Sequence, residues 1–277
     1  MSESTTENPP LLRLRGISKS FGPVQALTDV DLDVPAGAVT ALAGDNGAGK
    51  STLIKCVAGI HPPDSGEMFW EGRPVRLHGP ADAAALGIQA VYQDLALCDN
   101  LDIVQNMFLG RERVHHGQLD DVSMEKAAAT TLTDLAVTTV NSVRQQVGLL
   151  SGGQRQSVAI AKAVLWESKL VIMDEPTAAL GVAQTRMVLG LVRRLAQRGH
   201  AVLLISHNLV DVLAVSDRIA VMRQGRIVGV RPRAQIDELI LVDLMTTGRS
   251  TRAVSTDLSR IGTDVPADEG DEERGAR

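Results

Sequence analysis

Gly44-Asp45-Asn46-Gly47-Ala48-Gly49-Lys50-Ser51 is the stretch that decides the fold, because it matches the G-x-x-x-x-G-K-[ST] pattern of a phosphate-binding loop. It follows the apolar run Val39–Ala43, a predicted strand, and opens the predicted helix Lys50–Ala58. Glycines let backbone N–H groups turn toward phosphate oxygens, and the start of the helix adds its positive end to the same anion. The residues expected to hold the phosphates are Gly44, Asn46, Gly47, Ala48, Gly49, Lys50, Ser51 and Thr52.

Two side chains of this loop carry specific chemistry. Lys50 is expected to reach the terminal phosphates, and the hydroxyl of Ser51 is expected to ligate Mg²⁺. One alternative is an ordinary glycine-rich turn with a solvated lysine, and another is a dinucleotide-binding loop. The glycines here do not follow the G-x-G-x-x-G order of dinucleotide loops, which favours the phosphate loop.

Short apolar runs alternate with helical patterns on both sides of this loop. Ile88–Tyr92, Leu170–Met173 and Ala201–Ile205 are predicted strands, and Val182–Arg198 is a predicted helix. The run Leu170–Met173 is apolar at every position, as in a strand buried on both faces of a parallel sheet. The alternation predicts an α/β core built from βαβ units.

Four polar or flexible residues lie at or just beyond the carboxyl ends of these strands: Gly44, Gln93, Asp174 and His207. Ligands of open α/β sheets bind at this edge. We therefore expect the four residues to converge on one crevice.

Other parts of the chain interrupt the α/β pattern. Leu11–Val34 and Gly66–Leu77 alternate apolar and polar residues around turn signals, which predicts antiparallel hairpins. Asp102–Val147 lacks strand character and holds helical patterns such as Met124–Leu135, so residues 95–165 are predicted to form a helical insertion. Residues 1–10 and the acidic tail 249–277 are polar and predicted to be disordered.

The composition excludes several classes of protein. Only 2% of the 277 residues are aromatic, which argues against the stacking platforms of a single-strand nucleic-acid binder. The net charge of −5 gives no basic footprint, so no nucleic-acid partner is expected. Two cysteines suit a reducing compartment, and no apolar run approaches the ~18 residues of a membrane span. A soluble, cytoplasmic protein is the expectation.

A second glycine-containing loop precedes another predicted helix. Leu150–Gln154 leads into Arg155–Trp166, with Ser151 as a natural N-cap and two glycines that expose backbone N–H groups. The residues alone leave two interpretations, a capped helix and a second phosphate-binding loop.

Over about residues 11–248, the chain resembles the ATP-binding cassette (ABC) family. Leu150–Gln154 is similar to the family's signature motif, and Leu170–Glu175 looks like its Walker B strand with the catalytic carboxylate. Gln93 matches the Q-loop and His207 the switch histidine, while Phe21 lies where the family places an adenine-stacking aromatic. The resemblance implies a P-loop NTPase fold of the RecA-like type, with an antiparallel β subdomain and a helical insertion.

The resemblance also implies a reaction, the hydrolysis of Mg-ATP. Lys50 would hold the phosphates; Ser51, Gln93 and Asp174 would hold Mg²⁺. Glu175 would act as general base on the attacking water, which His207 would also contact. Taken alone, His207 is equally well a structural histidine, and Phe21 a packing residue.

A further implication concerns assembly. In the family the signature loop caps ATP bound to another cassette, so Ser151, Gly152, Gly153 and Gln154 are expected to complete the site of a partner chain. This chain carries one intact set of the family's motifs, which favours a homodimer of two identical cassettes. The alternative is a pair formed with a different cassette protein.

Three segments resemble, in amino-acid sequence, the ATP-binding cassettes of bacterial importers of ribose, xylose and fructose: Gly44–Gly66, Gly87–Glu112 and Thr177–Thr185. This implies integral-membrane permease subunits, an extracytoplasmic sugar-binding protein and a peripheral position on the cytoplasmic face of the membrane. Residues 95–110 resemble the permease-docking surface. Its apolar part would be Leu97, Ile103, Met107 and Phe108, unless these residues are core of the helical insertion.

The chain departs from the family's sequence pattern at one position, and several other functions compete with the importer interpretation. Many cassettes have Asp where this chain has Gly181, which puts coupling of the two sites through that carboxylate in doubt. The rivals are a soluble cassette protein of translation or DNA maintenance, an importer for another small solute, and an unrelated GTPase or kinase. The N-K-x-D pattern of guanine recognition is absent, which disfavours a GTPase.

Overall fold

Strands and helices alternate through the part of the chain that the computed structural model describes, residues 10–249. The predicted disorder of residues 1–10 and 249–277 falls, apart from Pro10 and Arg249, outside the described residues. The strands are β1 (Leu12–Phe21), β2 (Val24–Val34), β3 (Val39–Ala43), β4 (Ser65–Trp70), β5 (Arg73–Val75), β6 (Ile88–Val91), β7 (Val114–His115), β8 (Gln118–Leu119), β9 (Leu170–Asp174), β10 (Ala201–Ile205), β11 (Arg218–Arg223) and β12 (Arg226–Pro232). The helices are α1 (Lys50–Val57), α2 (Pro80–Ala85), α3 (Ile103–Phe108), α4 (Asp121–Asp134), α5 (Gly152–Val164), α6 (Val182–Gln197), α7 (Leu209–Val215) and α8 (Glu238–Thr247).

The central sheet has six strands in the order β12-β11-β3-β10-β9-β6. Neighbouring strands from β11 to β6 run parallel, and only β12 is antiparallel to its neighbour β11. The predicted strands β3, β6, β9 and β10 are confirmed, and their carboxyl ends share one edge of the sheet.

Alternate residues of the central strands face two different layers. Val171 and Val202 pack in a core with α3, α4, α5 and α6, whereas Ile172 and Leu203 pack in a second core with α1 and the antiparallel strands. All four side chains are fully buried. A strand covered on both faces cannot use polar residues, which explains its continuous apolar sequence.

The antiparallel layer is a four-stranded sheet in the order β2-β1-β4-β5. Both predicted hairpins are confirmed, since β1 pairs with β2 and β4 pairs with β5. Leu12, Leu14 and Ile17 of β1 are fully buried in the core shared with α1. This sheet therefore covers the helix that carries Lys50.

The segment predicted to be helical contains α3, α4 and α5, which pack on one another. Ile103, Met107 and Phe108 are at most 1% exposed and belong to the core, so their assignment to an apolar docking surface is wrong and the core alternative is confirmed. Leu97 is half-buried and packs against the same core.

The expectation that Asp102–Val147 lacks strands is also wrong at one place. Two-residue strands β7 and β8 form a small hairpin there, too short to produce a periodic pattern. Between residues 10 and 249, no helix combines the length and the hydropathy needed to cross a bilayer.

Candidate nucleotide site

The phosphate loop is shaped by close backbone approaches. A Cβ at Gly44 would lie 2.2 Å from the carbonyl oxygen of Met222, and one at Gly49 would lie 2.7 Å from that of Ala26. Gly49 also has a φ of 105° and is the N-cap of α1. Only glycine fits these two positions without displacing the neighbouring strands, so packing and phosphate geometry demand the same residue.

Lys50 lies at the start of α1, 7% exposed. Its Nζ donates hydrogen bonds to the carbonyl oxygens of Gly44 at 2.6 Å and of Asp45 at 3.0 Å. Burial lowers the pKa of Lys50, while the charges of Glu175 and Asp174 oppose that shift. The ammonium is thus held inside the loop by carbonyl oxygens, at the place where phosphate oxygens would bind.

A cleft of about 420 Å³ opens in front of this loop. It is lined by Val24, Gln25, Ala26, Asn46, Gly47, Ala48, Gly49, Lys50, Ser51, Thr52, Gln93, Asp174, Glu175, Gln224 and Gly225. Of the four residues that the strand-end argument predicts to converge, Gln93 after β6 and Asp174 at the end of β9 line this cleft. Gly44 and His207 do not line it, but each contacts a residue that does, Lys50 and Glu175 respectively.

Five of these lining residues were not predicted: Val24, Gln25, Ala26, Gln224 and Gly225. Gly225 donates its N–H to the Ala48 carbonyl at 2.8 Å, which fastens the β11–β12 turn to the phosphate loop. The Gln224-Gly225 pair signals a turn, but its contact with the loop arises only through the order of strands in the sheet.

The two carboxylates differ in surroundings. Burial, reinforced by the charge of Glu175, raises the pKa of Asp174, and Lys50 acts in the opposite direction. Glu175 has a φ of 50°, in the left-handed region that costs a non-glycine residue energy, and its N–H donates to the Ile205 carbonyl at 2.9 Å. This backbone turn redirects the chain so that both neighbouring carboxylates line one cleft.

His207 contacts the site through Glu175 and is not among the residues that line the cleft. Its Nδ1 lies 2.9 Å from Oε1 of Glu175, and its backbone N–H donates to the same oxygen at 3.1 Å. The Glu175 side chain is 14% exposed and that of His207 is 61% exposed. The histidine therefore orients the carboxylate and leaves most of its ring open to solvent.

Phe21 lies at the end of β1. Its partner on β2, Val24, lines the cleft, but Phe21 itself is not among the lining residues. It is 44% exposed, its ring is edge-on to His61 at 5.2 Å, and Nζ of Lys19 lies 5.6 Å from its centroid. These contacts fit packing, and its free surface also fits a flat ligand.

The loop Ser151–Gln154 lies elsewhere on the chain and does not line this cleft. Ser151 and Gln154 form a capping box at the start of α5, and the Gln154 amide donates to the Thr139 carbonyl. A Cβ at Gly153 would lie 2.9 Å from that of Gln184 on α6, so helix packing explains this glycine. Ser151 and Gly152 are exposed, which leaves the tip of α5 open to a second molecule.

The donor set of the cleft fits Mg²⁺. Ser51 offers a hydroxyl oxygen, Gln93 an amide oxygen and Asp174 a carboxylate, all hard oxygen ligands. Among the described residues there is no group of three or more His, Cys, Asp and Glu residues arranged to hold a metal. One carboxylate with neutral oxygens is typical of Mg²⁺ sites that share the ion with substrate phosphates.

Known proteins share this sequence and architecture. A family model described as "ABC transporter" matches residues 27–178. A fructose import ATP-binding protein of Rhizobium meliloti is 47% identical over 224 residues, which cover 78% of this chain and 86% of the relative. A xylose/arabinose import ATP-binding protein of Sulfolobus acidocaldarius is 43% identical over 237 residues, which cover 86% and 94%, respectively.

A ribose import ATP-binding protein of Streptomyces avermitilis is 43% identical over 243 residues, or 87% of this chain, which spans only 48% of that relative. Among solved structures, an ATP-binding cassette of an ABC transporter in its ADP conformation matches with a TM-score of 0.73 at 28% identity, over 85% of this chain and 94% of that chain. A nucleotide-free ATP-binding cassette matches with a TM-score of 0.70 at 28% identity, over 80% and 91%. The predicted P-loop NTPase fold is confirmed, and the chain belongs to the ABC transporter family.

Proposed function

We propose that the chain is the ATP-hydrolysing subunit of an importer that carries a monosaccharide. The observation that carries the proposal is the single cleft lined by Lys50, Ser51, Gln93, Asp174 and Glu175. These residues supply a cation for phosphate, oxygen ligands for Mg²⁺ and a carboxylate base. The relatives named for fructose, xylose/arabinose and ribose import support a monosaccharide as the solute.

Phosphate binding is the task of the loop and the start of α1. Lys50 exchanges its bonds to the Gly44 and Asp45 carbonyls for bonds to phosphate oxygens, and the backbone N–H groups of residues 47–51 supply further donors. Ser51, Gln93 and Asp174 would hold Mg²⁺, which would offset negative charge on the phosphate oxygens. Because Lys50 is buried in the fold, most of the water around its ammonium group is already removed before a phosphate binds.

Glu175 is the base that accepts a proton from the attacking water. Its carboxylate is mostly buried and held by two contacts with His207, so it is oriented before substrate arrives. The exposed ring of His207 is free to contact the γ-phosphate and the water while its Nδ1 side stays on Glu175. Phe21 provides a surface on which the adenine base stacks.

A second copy of the chain completes the site. The exposed Ser151 and the Gly152 backbone at the tip of α5 point to a ligand outside their own cleft, and ATP bound to a partner cassette supplies it. Two identical sites form in a homodimer. Permease subunits in the membrane carry the solute, an extracytoplasmic binding protein delivers it, and the cassettes lie on the cytoplasmic face.

Uptake in a reconstituted system tests this function. The chain is combined with its membrane subunits in vesicles, and uptake of radiolabelled fructose, xylose and ribose is measured with ATP on the cassette side. We expect ATP-dependent uptake of at least one of these sugars, and no uptake with Glu175→Gln, which still assembles. Transport of only a different class of solute would contradict the sugar assignment, and transport that does not require ATP would contradict the ATPase role.

A further inference from the structure

The last two strands of the central sheet carry a block of positive charge. Residues 218–236 contain five arginines and no Asp or Glu. We call residues 218–233 the arginine hairpin; they include β11, β12 and all five arginines, which are Arg218, Arg223, Arg226, Arg231 and Arg233. Because β12 is the edge strand of its sheet, one side of the hairpin is open to another segment.

Neutral acceptors hold two of these arginines. Nε of Arg223 donates to the carbonyl oxygen of Thr246 at 3.1 Å, and Nε of Arg233 donates to that of Leu213 at 2.6 Å. A carbonyl oxygen orients a guanidinium but brings no negative charge to it.

The other three arginines have little compensation. Arg226 lies 3.6 Å from Asp29 in an ion pair whose side chains are 57% and 72% exposed, so the pair contributes little. Within residues 10–249, the guanidinium groups of Arg218 and Arg231 form no ion pair or hydrogen bond. Arg223 and Arg226 are register partners across the two strands, which places like charges opposite each other. The hairpin therefore keeps an excess of positive charge.

The acids that flank the hairpin in sequence are engaged elsewhere. Asp217 forms an ion pair with Arg193 at 2.8 Å, and the carboxylate of Asp237 caps α8 by accepting from the N–H of Ile240 at 2.8 Å. A counter-charge for the hairpin is therefore expected from another segment or another molecule.

Residues 264–273, which follow the described part of the chain, have the opposite composition. Six of these ten residues are Asp or Glu, and none is Lys or Arg. We call them the acidic segment. The remaining residues between 250 and 277 contain one acid, Asp257, and four arginines, so the negative charge is concentrated in one block. Blocks of like charge are often interaction segments.

The described chain leads away from α8 beside the arginine hairpin. A Cβ at Gly248 would lie 3.7 Å from Cδ of Arg223 and from Cγ1 of Val228. Residues 249–263 span up to about 50 Å when extended, and the acidic segment up to about 33 Å. The hairpin strands are only about 20 Å long. The acidic segment can therefore reach both ends of the hairpin.

We propose that the acidic segment binds the arginine hairpin of the same chain and thereby weakens nucleotide binding. Carboxylates are the natural partners of guanidinium groups, since their two oxygens accept parallel N–H bonds. The pairing is electrostatic along the whole hairpin and needs no single contact. Its effect on the nucleotide rests on the proposed function, whereas the docking itself does not.

The turn of the hairpin links it to the nucleotide cleft. Gln224 and Gly225 line the cleft, and the Gly225 N–H donates to the Ala48 carbonyl of the phosphate loop at 2.8 Å. Arg226 follows directly, so the hairpin's positive charge lies beside the cleft and favours an anionic ligand there. A segment that neutralises this charge removes that attraction. Binding of the segment and binding of ATP therefore oppose each other, and the effect is reciprocal.

Cross-linking of the full chain tests the docking. Arg231→Lys keeps the positive charge and supplies an amine, which a carbodiimide condenses with a nearby carboxylate into an amide while the carbodiimide becomes a urea. Peptide mass spectrometry then identifies the carboxylate. We expect Lys at position 231 to be joined to residues 264–273, and the control Arg73→Lys, exposed on β5, to give no such link.

Three outcomes of this experiment would overturn the docking. One is the absence of a link from position 231 to the acidic segment. Another is a link found only between chains, which a mixture of isotopically light and heavy protein distinguishes from a link within one chain. The third is Arg231-dependent binding of the wild-type chain to vesicles of phosphatidylcholine and phosphatidylserine without any such link, which would assign the hairpin to a lipid surface.

Titration with a fluorescent ATP analogue tests the effect on the nucleotide. All six acids of residues 264–273 are replaced by Asn or Gln, in the wild type and in an Arg218→Gln/Arg231→Gln background. At about 10 mM salt we expect the neutralised segment to raise affinity about three- to tenfold in the wild type and much less in that background. At about 1 M salt the difference is expected to vanish, because screening then acts within about 3 Å.

The results separate this proposal from the proposed function. Equal affinity of the wild type and the neutralised variant at low salt would overturn the coupling, as would an equal gain in both backgrounds. A wild-type chain that binds no ATP at any salt concentration would instead contradict the proposed function and leave the cross-linking result standing.

Discussion

At the scale of one residue, Lys50 shows how the fold positions a positive charge for an anionic substrate. Its two hydrogen bonds to carbonyl oxygens hold a buried ammonium in the loop. Among residues 10–249 no carboxylate forms an ion pair with Lys50, so the charge remains available to an anion. We predict that Lys50→Ala weakens ATP binding by about 10- to 100-fold, since hydrogen bonds to charged groups contribute roughly 1.5–3 kcal/mol. Equilibrium titration with a fluorescent ATP analogue measures the effect, with exposed Lys126→Ala as control; equal affinity in the two variants would contradict the phosphate role.

Asp174 illustrates the energetic cost of a metal ligand. Burial and the neighbouring Glu175 raise its pKa above 3.8, so the ionised carboxylate destabilises the metal-free fold at neutral pH. This penalty is complete above the raised pKa, shrinks as the pH falls below it and is gone only below the ordinary pKa of 3.8, where the group is protonated in both the folded and the unfolded state. We predict that Asp174→Asn has a Tm a few degrees higher than wild type at pH 7 without Mg²⁺ and that the difference shrinks as the pH falls below the raised pKa of Asp174.

Thermal unfolding followed by circular dichroism checks this, with the exposed Glu67→Gln as control. Adding Mg-ATP is expected to reverse the order, because only the wild type then gains a metal ligand. A Tm difference that grows on acidification would contradict the assigned cause.

Residue types with a chemical signature were predictable from sequence. Lys50, Gln93, Asp174 and Glu175 line one cleft because each follows a strand whose apolar run is visible in the sequence. Gln25 and Gln224 line the same cleft without such a signal, since they reach it through hairpin turns that long-range packing places beside the loop. The edge-on contact of Phe21 with His61 likewise depends on two separate segments.

At the scale of elements, a part-buried hydrogen bond links the loop after β9 to the helix after β10, in addition to the direct contacts between Glu175 and His207. The Thr177 hydroxyl donates to Oδ2 of Asp211 at 2.6 Å, and Asp211 on α7 is 4% exposed. Asn208 caps the same helix directly after His207. The bond therefore holds Glu175 and His207 in a fixed relation.

We predict that Thr177→Val lowers kcat for ATP hydrolysis about tenfold, in proportion to one lost hydrogen bond to a charged group, and changes KM little. Thr177→Ser, which keeps the hydroxyl, is expected to retain most activity, and Thr130→Val on the exposed face of α4 to retain all of it. Steady-state ATPase kinetics of the three variants check this. Equal kcat in Thr177→Val and wild type would show that the bond does not position the base.

Element prediction succeeded where burial is complete on both faces. The apolar runs of β3, β9 and β10 leave no alternative to central strands, whereas β7 and β8 are too short for any period to appear. The run Ile219–Met222 carries the same signal and would have identified β11. Edge strand β12 is mostly half-exposed and contains Gly229 and Pro232, so its sequence resembles a loop.

At the scale of the whole molecule, the two phosphate-binding features of the sequence lie apart on one chain. The tip of α5 does not line the cleft, and Leu149, just before it in sequence, is 72% exposed. Sequence alone left a capped helix and a phosphate loop as equal interpretations of Leu150–Gln154. The capping box supports the capped helix. The exposed Ser151 supports a phosphate-binding loop that acts in an assembly of two chains.

The central claim is that ATP is held between the phosphate loop of one chain and Ser151 of another. It is tested most directly by sedimentation velocity in Mg-ATP of Glu175→Gln alone and combined with Ser151→Asn or Ser151→Asp. Asn and Asp are both good N-caps, so α5 keeps its start, and only Asp places a negative charge against the triphosphate. We predict ATP-dependent dimers for Glu175→Gln and for its Ser151→Asn form, and monomers that still bind ATP for its Ser151→Asp form. Dimers of equal stability in all three variants, or none in any, would contradict the account.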